Sequence, residues 1–154
     1  MIKNSINIES IVTMDFKIEI LQKDSLFSYK ELIDECFGSS NGLDYYEKYE
    51  QNNAYVIFVA IKDNEVVGSI TLYKIDLFTF GFQPCLMLFN VAVKEKYRKL
   101  KVAKSLMEYV IIYAKENGYK SISLTCLDDA YNAHKFYESA GFKKTSSIKY
   151  NLNI

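Results

Sequence analysis

A basic stretch in the second half of the chain has the residue types and the position to bind a phosphate. Arg98, Lys99, Lys101 and Lys104 follow a buried apolar run and stand where a helical pattern begins. The start of a helix presents unpaired backbone N–H groups and a partial positive charge, which a phosphate or pyrophosphate satisfies. Cations there oppose the helix dipole, so a solvated basic surface is the competing interpretation. An anionic ligand would make their placement favourable.

The residues that bind metals or form disulfides are few and widely spaced. Cys36, Cys85 and Cys126 form no CxxC pair, and His134 is the single histidine. A structural zinc site needs four such ligands at short spacings. We therefore expect no metal, and reduced thiols in a cytosolic protein.

Composition and charge exclude several classes of protein. The 154 residues suit one domain, 49% of them are hydrophobic, and 19 basic side chains balance 19 acidic ones. A general nucleic-acid binder needs a surplus of positive charge. The longest uncharged stretch, residues 77–93, contains a proline and is shorter than the ~20 apolar residues of a spanning helix, and no signal pattern opens the chain. We expect one cytoplasmic domain over residues 1–154, with an irregular arm over residues 1–12 and no nucleic-acid or membrane partner.

Hydrophobic periodicity predicts the elements that position these residues. Asp24 or Ser25 could cap the first helix, and Gly38 could end it. The order is a β-meander followed by strand–helix–strand–helix–strand, which predicts an α/β (α+β) fold with one sheet and helices on both faces. The predicted strands are 16–20, 54–61, 66–75, 86–93 and 122–126, with a final strand or hairpin over 142–152, and the predicted helices are 26–37, 44–50, 101–117 and 130–139.

Two motifs resemble the GNAT superfamily of acyl-CoA-dependent N-acetyltransferases. The segment 98–103 (Arg-Lys-Leu-Lys-Val-Ala) matches both ends of the family signature Gln/Arg-x-x-Gly-x-Gly/Ala, with Lys101 in place of the first glycine. The segment 133–142 resembles the family's Ala-x-x-Phe-Tyr-x-x-x-Gly-Phe. The resemblance covers residues 54–152 and implies a mixed, mostly antiparallel sheet with a central splayed pair of parallel strands. A positive φ at Lys101 would cost ~1–2 kcal/mol, and a helical φ would remove that cost.

The resemblance implies that acetyl-CoA is the cosubstrate and lies where strands 86–93 and 122–126 splay apart. A bulge near Asn90 would free backbone groups for the pantetheine arm, which pairs like an extra strand. The backbone N–H of Val91 or Ala92 would polarise the thioester carbonyl. Arg98 would be the side-chain partner of the pyrophosphate. The residues expected to contact the coenzyme are Val91, Ala92, Val93, Arg98, Lys99, Leu100, Lys101, Val102, Ala103, Lys104, Asn132 and Lys135.

Tyr137 matches the family position of the general acid that protonates the departing thiolate. A phenol has a pKa near 10 and can donate a proton in a dry cleft, whereas simple packing on the last helix is the alternative. His134 is either a base or a rim histidine. The strand that carries the bulge offers no carboxylate, so an ordered water could take the amine's proton, with Asp128 or Asp129 as relays or as helix caps.

The acceptor pocket should be built from residues 24–50 and from the loop 78–83. Acidic and aromatic side chains in the first of these segments could attract and enclose a cationic amine, although a solvated acidic helix face explains most of them equally well. The residues concerned are Asp34, Glu35, Asp44, Glu47, Tyr45, Tyr46 and Tyr49.

These features predict an enzyme that transfers an acetyl group from acetyl-CoA to a primary amine, either a small molecule or a peptide, by direct attack in a ternary complex. A covalent route through Cys126 remains open. Two alternatives are a non-catalytic acyl-CoA-binding or sensor module and a partner-binding domain whose basic loop meets an acidic protein. The aromatic loop 78–82 and the final strand are candidate homodimer surfaces.

Overall fold

Five strands form one sheet in the order β1-β2-β3-β4-β5 in the computed structural model, which describes residues 16–38 and 42–154. Neighbouring strands are antiparallel except β4 and β5, which are parallel. The mixed sheet with its parallel pair confirms the predicted fold class, and the predicted arm over residues 1–12 lies outside the described residues. The elements are β1 (Lys17–Ile20), α1 (Leu26–Phe37), α2 (Tyr45–Gln51), β2 (Tyr55–Lys62), β3 (Glu65–Ile75), β4 (Cys85–Val93), α3 (Val102–Glu116), β5 (Ile122–Leu124) and α4 (Tyr131–Ser139).

Two apolar cores lie on opposite faces of this sheet. On one face α3 packs over β2 and β3, where the ring of Phe58 meets Tyr109 and Tyr113 edge to face at centroid distances of 5.2 and 5.0 Å. On the other face α1 and α2 cover a smaller core that includes Leu32 and Val59. The helices therefore lie on both faces, as predicted, and β4 runs between the two layers.

The C-terminal segment does not form the predicted final strand or hairpin over residues 142–152. Residues 142–154 carry no regular secondary structure. Phe142 packs on Tyr137 at a centroid distance of 5.9 Å, but the following Lys-Lys-Thr-Ser-Ser run has no apolar side chain to bury against β5. Strand β5 is also shorter than predicted and ends at Leu124. None of the helices within the described ranges is long and apolar enough to span a bilayer.

Candidate functional site

The antiparallel ladder between β3 and β4 is interrupted by a bulge in the middle of the sheet. Ser69 pairs with Ala92 and Thr71 pairs with Phe89, so Asn90 and Val91 together oppose a single residue of β3. Asn90 has a left-handed φ of 51°, which asparagine tolerates better than most residues. A bulge leaves an extra residue unpaired and locally disrupts the ladder. The predicted bulge near Asn90 is therefore present.

Strands β4 and β5 part immediately beside this bulge. Their parallel pairing consists of three residue pairs, which join Leu86–Leu88 to Ile122–Leu124. β4 continues to Val93 while β5 has ended, so the second half of β4 lacks a strand neighbour on that side among the described residues. This is the predicted splay, and a strand edge without a neighbour is where an extended ligand can pair with backbone groups. In the next two residues, the side chain of Ala92 is buried, and the Val93 carbonyl accepts a hydrogen bond from Arg98 Nε at 3.3 Å.

The basic stretch leads into the N-terminus of α3 (Val102–Glu116), as predicted. The first intrahelical bond is donated by the Ser105 N–H to the Lys101 carbonyl at 2.9 Å, so the N–H groups of Val102, Ala103 and Lys104 precede it. Helix α3 has no side-chain cap and no acidic residue in its first turn. An anion is the complement of such an end. The Leu100 N–H is used inside the loop, where it donates to the Tyr97 carbonyl at 3.3 Å.

Lys101 does not belong to α3 and does not have a helical φ. It is the N-cap residue, with φ 63° and ψ 15°, and Lys99 also has a positive φ of 68°. A helical φ at Lys101 would have removed the cost of a left-handed conformation, but Lys101 does not have one. Two lysines therefore occupy a conformation that favours glycine.

Gly68 brings α3 against the sheet and was not singled out by the sequence analysis. A Cβ at this position would lie 2.7 Å from a methyl group of Val102 and 3.1 Å from the Ala92 carbonyl oxygen. Only glycine lets the first turn of α3 approach the strands so closely. A glycine inside a strand pattern is a recognised sign of close backbone approach, so the signal was present in the sequence.

A network of charged residues holds the loop between β4 and α3, and sequence analysis missed it. Lys94 is buried and lies 2.7 Å from Glu65 Oε1 and 3.9 Å from Glu31 Oε2. Glu65 Oε2 also contacts Lys96 Nζ at 2.9 Å and accepts a hydrogen bond from the Tyr97 hydroxyl at 2.9 Å. These bonds, first of all that from Lys94, lower the pKa of Glu65 to about 2. The loop is thus pinned before it reaches Arg98.

Tyr137 lies on the inner side of α4, half-buried between Phe136 and Phe142 at centroid distances of 5.3 and 5.9 Å. Burial, together with the nearby Cys126 thiol, raises the pKa of Tyr137 above its ordinary value. The phenol therefore keeps its proton at neutral pH. Val91 and Tyr137 both pack against the core under α3, so the bulge and the phenol border the same apolar layer.

The other sequence candidates around α4 are dispersed. His134 Nε2 forms a hydrogen bond with the Leu127 carbonyl at 2.9 Å, which fits a structural histidine better than a base. Asp128 is exposed and pairs with Lys144 at 3.1 Å. Asn132 and Lys135 are exposed on α4.

A groove of about 1070 Å³ runs between β5, α4 and residues 143–149. Its lining includes Cys126 and Tyr137 but neither the bulge nor the start of α3.

The acceptor candidates of the N-terminal segment separate into two groups. Asp34, Tyr45, Tyr46 and Tyr49 line a cavity of about 170 Å³ between α1, α2 and β2. Glu35 instead accepts a hydrogen bond from the Glu95 N–H at 2.7 Å. Asp44 and Glu47 are exposed and line neither cavity. The loop 78–83 was expected to contribute to the acceptor pocket, but none of its described side chains lines either of them. Within the described residues no cluster of three histidine, cysteine or acidic side chains could hold a metal ion.

Comparison with protein families gives a match over most of this architecture. Residues 26–142 match the Acetyltransferase (GNAT) family. The matched range contains the bulge, the start of α3 and all of α4.

Individual relatives agree with this match. Human N-acetyltransferase 8B is 32% identical over 88 residues, which is 57% of this chain and 38% of that protein. The chain thus spans less than half the length of this curated relative. Among solved structures, an acetyltransferase from Trypanosoma brucei superposes with a TM-score of 0.78 at 20% identity, over 91% of this chain and 100% of that one. Glucosamine-6-phosphate N-acetyltransferase from Arabidopsis thaliana superposes with a TM-score of 0.76 at 18% identity, over 90% and 99%.

Proposed function

The chain belongs to the GNAT family of acetyltransferases, and we propose that it transfers an acetyl group from acetyl-CoA to a primary amine by direct attack in a ternary complex. The observation that carries the proposal is the continuity of the bulge at Asn90–Val91, the splay beyond Leu88 and the uncapped start of α3. Together they form a continuous path from the backbone N–H groups at the bulge to the cations at the start of α3. A thioester on a long amide-containing arm that ends in phosphates fits such a path.

The residues at the start of α3 fit the pyrophosphate of acetyl-CoA. The N–H groups of Val102, Ala103 and Lys104 point out of the helix end, and Lys99 and Lys101 hold left-handed conformations that turn the loop toward it. Arg98 is tied to the Val93 carbonyl through Nε, which leaves its other guanidinium N–H groups to donate to phosphate oxygens. Because no acidic residue stands in the first turn, nothing there opposes the negative charge.

The residues at the bulge and on α4 divide the chemical work. When bound, acetyl-CoA supplies the acetyl group as a thioester whose carbonyl carbon the neutral amine attacks. The Val91 N–H donates a hydrogen bond to the carbonyl oxygen as negative charge develops there. Tyr137 gives its phenolic proton to the leaving sulfur. Because burial raises the pKa of Tyr137 above its ordinary value, the phenol keeps the proton that it has to donate.

The amine's own proton passes to water in this mechanism. The residues of β4 that precede the bulge, Met87, Leu88 and Phe89, offer no carboxylate, and Asp128 is paired with Lys144. Cys126 borders Tyr137 and could in principle accept the acetyl group. Direct attack predicts that Cys126→Ala keeps most of the turnover and that the protein incubated with acetyl-CoA alone gains no acetyl mass.

Thermal unfolding with acetyl-CoA, and with ATP as a phosphate-bearing control, tests the coenzyme site first. At about 100 times its dissociation constant a ligand adds ~2.7 kcal/mol to the free energy of unfolding, a shift of several degrees for a domain of this size. A shift with acetyl-CoA alone supports the site, and an equal shift with ATP contradicts it. Release of free CoA on addition of amines then tests transfer. Binding without release from any amine would favour the sensor module.

A further inference from the structure

Arg98 is the single arginine of the chain, and two hydrogen bonds hold it within the loop between β4 and α3. Its backbone N–H donates to the Glu95 carbonyl at 3.1 Å, and its side-chain Nε donates to the Val93 carbonyl at 3.3 Å. The first bond closes the turn Glu95–Tyr97, and the second orients the planar guanidinium group. The direction in which Arg98 presents its remaining N–H groups therefore depends on the positions of Val93 and Glu95.

Two successive residues of α1 contact these same two residues of the loop. The Glu35 carboxylate accepts a hydrogen bond from the Glu95 N–H at 2.7 Å, and the Cys36 thiol donates to the Val93 carbonyl at 3.6 Å. Glu95 begins its turn, so this N–H has no acceptor inside the turn. A carboxylate is a strong acceptor for such a group. Helix α1 thus supports both of the residues on which the orientation of Arg98 depends.

The exposure and the charge of Glu35 separate its effect on the loop from other effects. Glu35 and Glu95 are both exposed, so water can replace their hydrogen bond at little cost to folding. A carboxylate on the loop that leads to the proposed phosphate site also repels an anion there. Electrostatic repulsion alone therefore predicts that removal of Glu35 strengthens the binding of an anion, whereas a role in holding Arg98 predicts the opposite.

We infer that Glu35 is a positioning residue that orients Arg98 toward the pyrophosphate of acetyl-CoA. This inference rests on the proposed function, which assigns Arg98 to the pyrophosphate. Glu35 fixes Glu95, and the Glu95 carbonyl fixes the backbone of Arg98, so the guanidinium group is already oriented when the coenzyme arrives. Such preorganisation raises affinity because less of the loop remains to be ordered on binding.

Calorimetric titration of acetyl-CoA tests this role through a double-mutant cycle. Arg98→Ala should weaken binding about tenfold or more. Glu35→Ala should weaken it about fivefold in the presence of Arg98 and less than about twofold in the Arg98→Ala background, because Glu35 acts through Arg98. Glu35→Gln keeps an acceptor oxygen and should restore wild-type affinity. Glu50→Ala, which removes an exposed carboxylate from α2, is the matched control and should not weaken binding.

The single arginine also provides a measurement that needs no coenzyme. In protein that contains ¹⁵N-labelled arginine, the Nε–H group of Arg98 gives one side-chain resonance, whose relaxation reports the order of the guanidinium group. We expect an ordered Nε–H in the wild type and in Glu35→Gln, and a mobile one in Glu35→Ala. The thermal unfolding midpoint should stay close to the wild-type value in both variants.

Equal or tighter binding of acetyl-CoA by Glu35→Ala would overturn the positioning role, and so would a loss of affinity that is the same with and without Arg98. A failure of the proposed function looks different, because acetyl-CoA then binds as described but no amine releases CoA. If acetyl-CoA does not bind at all, the resonance of Arg98 decides. Order that Glu35→Ala removes supports the positioning of Arg98 by Glu35, and equal mobility in both proteins overturns it.

Discussion

Helices α3 and α4 carry the two family motifs, but the fold holds them in very different ways. Seven of the fifteen residues of α3 are buried, its first turn fits against Gly68, and the loop that leads into it is pinned by Glu65. Helix α4 has nine residues and none is buried. Its surroundings are β5, with three residues, and an irregular C-terminal segment whose Ile148, Tyr150 and Leu152 are exposed.

Because α3 is largely buried and α4 is not, we expect residues on the two helices to differ in how far they affect stability and activity. The phosphate end of the proposed site is part of the main core, so residues there serve stability and binding together. The proposed proton donor, Tyr137, stands on a peripheral helix, so we expect that its hydroxyl can be removed without disturbing the fold. Substitutions around α3 should therefore act first on folding, and substitutions on α4 should act first on turnover.

The largest effect is expected from the core under α3. Leu106 is fully buried, and Leu106→Ala should lower the free energy of unfolding by ~2–5 kcal/mol, because a cavity replaces packed methyl groups. Phe136→Ala, from a half-buried position on α4, should lower it by only ~1–2 kcal/mol. Urea denaturation of both variants measures the contrast. Equal losses would mean that α4 is as much a part of the core as α3.

Removal of the Tyr137 hydroxyl from α4 should lower turnover and leave the free energy of unfolding unchanged. Tyr137→Phe should reduce kcat by ~100-fold, the range of a general acid, with an unfolding midpoint close to that of the wild type. Tyr131→Phe removes an exposed hydroxyl from the same helix and serves as the matched control. A Tyr137→Phe enzyme with full activity and unchanged acetyl-CoA affinity would assign the proton to another group.

The network at Glu65 should affect stability in a pH-dependent way. Glu65→Gln leaves the buried ammonium of Lys94 with Glu31 at 3.9 Å and should lower the free energy of unfolding by ~1–2 kcal/mol at pH 7. Because folding lowers the pKa of Glu65 to about 2, its stabilising effect is complete above the unfolded value of 4.5 and disappears as the pH falls toward 2.

Denaturation of wild type and variant at pH 7 and pH 3 measures that difference. Glu108→Gln, which breaks the exposed pair with Lys104, is the control and should change little at either pH. A gap between wild type and Glu65→Gln that stays constant from pH 7 to pH 3 would show that the carboxylate charge is not what anchors the loop.

The sequence predicted the parts of the molecule that local patterns encode. Alternating and helical periodicities located the nine main elements within a few residues, and the family motifs located the bulge and the helix start. The network of Glu65 and Lys94 was missed because its members are 29 residues apart along the chain and carry no local pattern. An alternation of apolar and polar residues over 148–152 is typical of a strand. A strand also needs the free edge of a neighbouring strand to pair with, and hydrophobic periodicity does not show whether such an edge is available.

The cavity between α1, α2 and β2 shows the same limit. Its acidic and aromatic residues were recognised as candidates, but sequence could not tell that Asp34 lines the cavity while Glu35 binds the backbone of Glu95. These two neighbours on α1 point in directions about 100° apart. Which of them lines the cavity and which meets a neighbouring element depends on tertiary packing, which the local sequence does not encode.

The smallest expected effect distinguishes the backbone conformation of Lys101, at the start of α3, from the charge of its side chain. Lys101 holds a φ of 63°, so Lys101→Gly should relieve strain and raise the free energy of unfolding by ~0.5–1 kcal/mol, the left-handed cost less the greater chain entropy of glycine. Lys101→Ala removes the same ammonium but keeps a Cβ, so it should bring no such gain. Both variants should bind acetyl-CoA a few-fold more weakly if the ammonium contacts the pyrophosphate, as calorimetry would show. Stability that falls in Lys101→Gly would contradict the left-handed conformation, whereas weaker binding in Lys101→Ala alone would assign the role of this position to loop shape and not to charge.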